Sequence, residues 1–337
     1  MNTGAGHGTT RPGPGGVVFL VPGQGSHPAG ALAALHRDVP AVRAPIDRVL
    51  DTVDAIAAQQ DFDPVRNVLL GPDRPLPLAP DTPQLAHYAA AIALDRALAA
   101  VGIRPKLVVG QSFGEIAALV CAEAFDVADG ARAVCAFNHT FRPHEGTGAM
   151  VLVKAGEQDT LRLLDRTGRD DLVLACLNTP RQSIVSGPNT AITALLEQTG
   201  QHDVPDLLKL PMPYGMHHPS LGPSADRFLR ALRPLPQRPL RTPVLSPVRR
   251  RRYTDADDLH RALADCVTEP VHLLETLRRL PTSPDVLFVE VGVGDTLCRC
   301  LRAVSPDART VAPLSGDPGR IFAGDPNPPG EGSPPDA

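Results

Sequence analysis

The 337-residue chain has no surplus of positive charge: 33 Lys and Arg stand against 37 Asp and Glu, a formal net charge of −4. That balance excludes a global basic field of the kind that draws proteins to nucleic acid or an anionic membrane, and neither partner is expected. No CxxC pair occurs among Cys121, Cys135, Cys176, Cys266, Cys298 and Cys300. Dispersed in a chain of this size, they suit neither a disulfide framework nor a structural zinc cluster, and reduced thiols of a cytoplasmic protein are expected. The adjacent His217-His218 pair and the scattered cysteines match no standard ligand spacing, so no metal is expected. The opening residues hold no apolar stretch long enough for a signal peptide or membrane anchor. There is also no internal repeat.

Residues 1–16, rich in Gly and Thr, read as a flexible lead. From Gly316 to Ala337 six prolines and five glycines fall within 22 residues. Such a composition does not repay the entropy of ordering, so 315–337 is expected to be a disordered tail.

Between these ends the pattern is α/β. Val17-Val18-Phe19-Leu20-Val21 is a short continuous apolar run stopped by Pro22-Gly23, as a buried parallel strand is before its loop. Thr82 to Ala100, with Pro83 near its start and a long Ala/Leu pattern, reads as a mostly buried helix. Leu107-Val108-Val109 is a second strand, followed by Gly110 and the helical run Glu115 to Ala122. Such alternation predicts an open, largely parallel sheet, with ligands beyond the carboxyl ends of its strands.

The middle of the chain differs. Strand-like pieces at Ala149–Val153, Leu172–Ala175, Ser183–Ser186 and Leu207–Leu210 alternate with helical stretches near Gln158–Asp165 and Ala191–Gln198. This β-α-β-β-α-β order predicts a ferredoxin-like subdomain over 138–210. Val286 to Val291 then resumes the parallel-strand signature. The expected architecture is a large α/β-hydrolase-like domain over 17–137 and 211–314, interrupted by that small subdomain.

Gly110-Gln111-Ser112-Phe113-Gly114 falls at the junction of strand and helix. Gly-x-Ser-x-Gly places a serine on a sharp strand-to-helix turn, where small flanking residues avoid clashes and the hydroxyl projects above the sheet. The following helix aims unpaired amides at an oxyanion. Ser112 is therefore the candidate nucleophile, and it needs a base, normally imidazole, within hydrogen-bonding reach. Eleven histidines are available.

Several segments in order resemble the acyl-carrier-protein acyltransferase family, best known for the malonyl transferases of fatty-acid synthesis and the acyltransferase domains of polyketide synthases. They are Phe19 to Ser26, Thr82 to Leu94, Gly110 to Glu115, Gly148-Ala149-Met150, Asn178 through Gly187, Leu210 to Pro223 and Phe288 to Gly294. The resemblance covers roughly Val17 to Val304 and implies a Ser-His pair without a third acidic side chain. In this family the histidine opens a His-x-x-x-x-x-Pro pattern, which counting back from Pro223 assigns to His217, with His218 as the adjacent alternative. A backbone carbonyl usually orients the imidazole, and Cys266 to Val271 resembles the segment that carries it, with Cys266 in place of the usual Gln. The resemblance further implies an oxyanion hole from amides at Gln24 and Phe113, with Gln84 and Asn178 ordering the surrounding loops.

Departures from the pattern bear on the substrate. Family members that accept malonyl carry an arginine where this chain has Phe137, and a phenyl ring would leave a desolvated carboxylate unpaired. Arg132 and Arg142 lie near enough in sequence to substitute for it. Met216, where Phe or Ser is common, suits a longer or bulkier acyl chain, and Gln111 replaces the usual histidine before the nucleophile. Pro247 stands where asparagine is frequent.

The implied reaction moves a non-malonyl acyl group, bulky, aminoacyl or dipeptidyl, between acyl carrier proteins through a Ser112 ester. No cofactor is bound, and the group arrives on phosphopantetheine of a donor carrier, or on coenzyme A. Thioester hydrolysis, malonyl transfer and an inactive docking role are the alternatives. Carrier proteins are acidic, so a basic docking surface is expected at Arg249-Arg250-Arg251-Arg252 or at Arg299 and Arg302, the four-arginine run reading equally as a solvated turn. A monomer is expected.

Overall fold

The computed structural model describes residues 15–72, 81–200, 204–212, 214–316 and 319–322. The chain first forms β1 (Gly16–Val21) and β2 (Leu107–Gly110), then the contiguous group β3 (Gly148–Val153), β4 (Val173–Thr179), β5 (Gln182–Pro188) and β6 (Leu207–Lys209). It ends with β7 (Val244–Ser246), β8 (Arg251–Arg252), β9 (Val286–Glu290) and β10 (Arg309–Val311).

The strands form two sheets. One runs β10-β9-β1-β2-β7-β8 and is parallel except for its last pair. Its central strands are apolar because helices cover both faces: every residue of β1, β2 and β9 is buried. The helix Thr82–Ala100 packs against this core, with all but a few of its residues buried. The second sheet is antiparallel in the order β4-β5-β3-β6. Its strands alternate by face, as the period of two requires. Ala149, Val151, Val153 and Val185 enter a small core with Leu163 and Leu195 of the helices Glu157–Thr167 and Asn189–Leu196. Met150, Leu152, Cys176 and Ile184 face the large domain.

Several boundaries differ from expectation. β4 and β5 run longer than Leu172–Ala175 and Ser183–Ser186 because polar Asn178, Thr179 and Gln182 continue the ladder to a tight Pro180-Arg181 turn. Gly16, expected in the lead, pairs with Val286 in β1. Gly319–Phe322, expected in the disordered tail, is a short helix whose Ile321 joins the core. The rest of the lead, 1–14, and of the tail, 317–318 and 323–337, lies outside the described residues. The short strands β7, β8 and β10 carried too few residues for a periodicity to register.

Candidate active site

The glycines of Gly110-x-Ser112-x-Gly114 answer to close packing. A Cβ on Gly110 would meet the Cα of Glu115 at 2.7 Å and the Cβ of Ala118 at 2.8 Å. One on Gly114 would meet the carbonyls of Val21 and Pro22, where the end of β1 crosses the first turn of the helix. Between them Ser112 holds a left-handed φ of 54°, a conformation uncommon for a non-glycine residue that persists only where its surroundings over-determine it. The result is a hydroxyl aimed out of the sheet above the helix N-terminus.

Ser112 Oγ lies 2.7 Å from Nε2 of His217. On the other side of the ring, Nδ1 is 3.1 Å from the carbonyl oxygen of Glu269. A carbonyl only accepts, so Nδ1 carries the proton and Nε2 presents its lone pair to the serine. Glu269 lies within the segment Cys266 to Val271, which is stitched to the small sheet by reciprocal bonds: Leu177 N–H to the Val271 carbonyl at 2.9 Å and Val271 N–H to the Ala175 carbonyl at 2.8 Å. The segment that orients the imidazole is thus fixed by an isolated parallel bridge from Val271 to Cys176 of β4. His218 is held elsewhere, its ring against Ser220 Oγ and the Asp171 carbonyl.

Burial pushes the His217 pKa down to about 4, against smaller opposing contributions from the Glu269 and Cys266 backbone. The ring is therefore neutral, as a base must be, throughout the neutral range. Acylation of Ser112 by a small thioester should stay flat from pH 7 to about 5 and fall only near 4; a midpoint near 6.5 would show an ordinary, solvated histidine. The sign for stability is the same. The unfolded chain takes up the proton below the usual 6.5, so the contribution of His217 is intact above that pH and is lost as pH falls toward 4. Buried His87, also lowered to about 4 by desolvation, acts in the same direction.

A cavity of about 410 Å³ opens at this pair. Gln24, Gln111, Phe113, Phe137, Asn178, Met216, Cys266 and Arg299 line it with Ser112 and His217, drawn from both sheets. Gln111 Nε2 donates to Asn178 Oδ1 at 3.3 Å, joining the nucleophile turn to β4. Gln84 does not line the cavity; its Nε2 donates to the Tyr214 hydroxyl at 3.2 Å behind the wall. Cys266 lines it with a buried thiol held well above the usual pKa by desolvation. Among the described residues no group of three His, Cys, Asp or Glu is placed to hold a metal ion.

Phe137 sits within an aromatic cluster, its ring 5.4 Å from Phe113, 4.6 Å from Phe141, 5.7 Å from Phe228 and 6.5 Å from Tyr214. Neither sequence-neighbouring arginine compensates: Arg132 pairs with Asp129 at 2.9 Å and Arg142 with Asp81, and neither lines the cavity. The one charged side chain among the described lining residues, besides the neutral His217 ring, is Arg299, mostly exposed and 3.2 Å from Asp295. Met150, Met212 and Met216, all the described methionines, line the same space.

The remaining docking candidates lie away from the cavity. Arg302 reaches Thr310 Oγ1 at 2.6 Å. Arg249, Arg250 and Arg251 pair with Asp265, Glu275 and Asp257, and Arg252 is exposed on the edge strand β8. Two residues beside the site were not singled out by sequence. Tyr214 anchors Gln84, and fully buried Glu115 accepts from Ser246 Oγ and from the Tyr253 hydroxyl at 2.7 Å. Desolvation raises the Glu115 pKa to about 7. Its signal was an acid opening the otherwise apolar helix Gly114–Cys121.

A strained serine turn, a neutral imidazole bonded to it and a cavity lined from both sheets are an arrangement suited to acyl transfer. The chain belongs to the acyl transferase domain family, whose model matches residues 18–308, and it is an acyltransferase. It is 29% identical over 303 residues to the phenolphthiocerol synthesis polyketide synthase type I Pks15/1 of Mycobacterium marinum, covering 89% of this chain and 14% of that protein. The chain thus spans about one seventh of that relative's length. Among solved structures, a loading acyltransferase from the avermectin modular polyketide synthase superposes with a TM-score of 0.78 at 26% identity, covering 91% of this chain and 98% of that one. The malonyl-transacylase PlMCAT, solved in complex with AntF, a type II polyketide synthase acyl-carrier protein, has the same fold: TM-score 0.80, 23% identity, 92% and 98% covered. Among the described residues no helix is long and apolar enough to cross a membrane.

Proposed function

We propose that this acyltransferase moves a non-malonyl acyl group from one acyl carrier protein to another through an ester on Ser112. Imidazole Nε2 takes the Ser112 proton as Oγ attacks the thioester carbonyl of the donor. The tetrahedral oxyanion is held by amides at Gln24 and Phe113, both of which line the cavity with Ser112. Collapse expels the donor thiolate, which takes the proton from the imidazolium and leaves the acyl ester. The acceptor thiol then gives its proton to His217, attacks the ester and regenerates the hydroxyl as its new thioester forms. This is ping-pong chemistry in which the chain supplies every proton transfer and the phosphopantetheine thiols belong to the substrates. The complex of PlMCAT with its carrier and the polyketide synthase relatives support carrier proteins as partners and polyketide assembly as the setting.

The observation that carries the substrate reading is the Phe137 cluster. A malonyl carboxylate entering it would lose its water with no cation among the rings, the one lining cation, Arg299, being mostly exposed and paired with Asp295, whereas a bulky group, aminoacyl and dipeptidyl units included, meets rings and pliable methionines. Intact-mass spectrometry after exposure to carrier proteins loaded with malonyl, short acyl, bulky acyl and aminoacyl groups tests it. The expected result is a Ser112 adduct from a bulky group and at least ~100-fold slower labelling by malonyl. Rapid malonyl labelling would overturn the reading. Release of free acid at one rate with and without an acceptor carrier would replace transfer by hydrolysis.

A further inference from the structure

Three of the four arginines in the run 249–252 are already engaged by acidic side chains of this chain, and none of the four lines the active-site cavity. The small subdomain carries a different basic surface. Lys154, Arg162, Arg166 and Arg181 line one groove of about 420 Å³, with Asp159 as the one carboxylate among its described lining residues. All four cations are exposed. Arg162 pairs with Asp159, and Lys154 with Asp206 at 2.9 Å. Arg166 and Arg181 have no ion-pair partner among the described residues.

The placement of this groove gives it meaning. Lys154 directly follows β3, Arg181 directly precedes β5, and Val204 and Pro205, which also line the groove, lead into β6. The antiparallel register sets Val153 opposite both Ser183 and Leu207, so these three strand ends meet at one end of the sheet. A bond from Lys154 N–H to the Asp206 carbonyl at 3.0 Å closes that end. Inward of these ends Leu152, Ile184 and Leu208 line the active-site cavity, and so does Gln182, which directly follows Arg181. At about 3.3 Å per strand residue, groove and cavity lie a few residues apart along the same strands, the groove on the side of the helix Glu157–Thr167 and the cavity on the other face of the sheet. Leu208 is 60% exposed, one of two large hydrophobics left open among the described residues. Exposed arginines without an internal partner beside the apolar Val204 and Pro205 are the composition of a protein-docking patch.

We infer that this groove is the carrier-protein docking surface, with Arg166 and Arg181 pairing with carboxylates of an acidic carrier. The inference rests on the carrier-dependent transfer proposed above. A guanidinium with no internal partner engages a new carboxylate without giving one up, and its planar fork suits bidentate pairing. Docking here would set the carrier's phosphopantetheine beside Gln182, at the border of the cavity that holds Ser112. The chain's negative net charge makes a nucleic acid the poorer occupant of the same patch.

The test uses the full chain and the holo-carrier that labels Ser112 best in the mass-spectrometric panel. In the Arg166→Glu/Arg181→Glu variant, KM for the loaded carrier should rise about tenfold or more, while acylation by a small N-acetylcysteamine thioester and the melting temperature stay unchanged. The Arg166→Lys/Arg181→Lys variant should restore most of the loss. Fluorescence anisotropy of the labelled holo-carrier on Ser112→Ala protein reads docking without chemistry, and the charge-reversed surface should abolish its salt dependence. Unchanged carrier KM and affinity in the reversed variant, or loss of both only on reversing Arg250 and Arg252, would overturn the inference. Carrier binding that responds as expected alongside a Ser112 that no acyl donor labels would strike the proposed function and leave the docking surface standing.

Discussion

Replacing Ser112 by alanine should remove the acyl adduct completely and lower transfer between carriers by at least about 10⁴-fold. The reasoning is covalent: without Oγ there is no ester, and the acceptor thiol has no acylated enzyme to attack. The substitution leaves the fold alone, because the strain at this turn is fixed by Gly110 and Gly114 against Glu115, Ala118 and the end of β1, and not by the serine side chain. Alanine at a φ of 54° is no worse placed than serine. Carrier binding should therefore survive. An adduct that persisted in this variant, mapped by peptide mass spectrometry to another residue, would dismantle the mechanism.

The second large effect falls on histidine. His217→Ala should slow acylation by about 10²- to 10⁴-fold, while His218→Ala leaves it within a small factor. The two rings are adjacent in sequence, but only His217 reaches Ser112, at 2.7 Å, while His218 is turned to Ser220 and Asp171. Because nucleophile and base act as a unit, the double variant Ser112→Ala/His217→Ala should be no slower than Ser112→Ala alone. Single-turnover rates with a small thioester measure both. A His218→Ala loss as large as that of His217→Ala would reverse the assignment.

In the proposed mechanism the Glu269 carbonyl takes the place of an acidic third member. A carbonyl fixes the tautomer as well as a carboxylate does, and it leaves no second charge to desolvate beside a ring already buried to a pKa near 4. The segment carrying that carbonyl is tied to β4 through Val271, so the orientation of the imidazole depends on contact with the small sheet. The small subdomain thus touches both partners, the imidazole through the segment that carries Glu269 and the serine turn through the bond from Gln111 to Asn178.

Much of this was legible in the chain itself, because the relevant signals are local. The strand-turn-helix around Ser112 follows from an apolar run, two glycines and a following helical pattern, and the β-α-β-β-α-β order follows from periodicity within one contiguous stretch. The apolar character at Phe137 is likewise a property of one residue. Tertiary structure decided what depends on residues far apart in sequence meeting in space. It turned His217 rather than its neighbour toward the nucleophile, and it gathered Phe113, Phe141, Tyr214 and Phe228 around Phe137. It also consumed the conspicuous arginines at 249–251 in ion pairs while leaving the inconspicuous Arg166 and Arg181 open in a groove of the small subdomain. A charge run shows where charge is placed along a chain; whether that charge is available depends on the acids that folding brings to it.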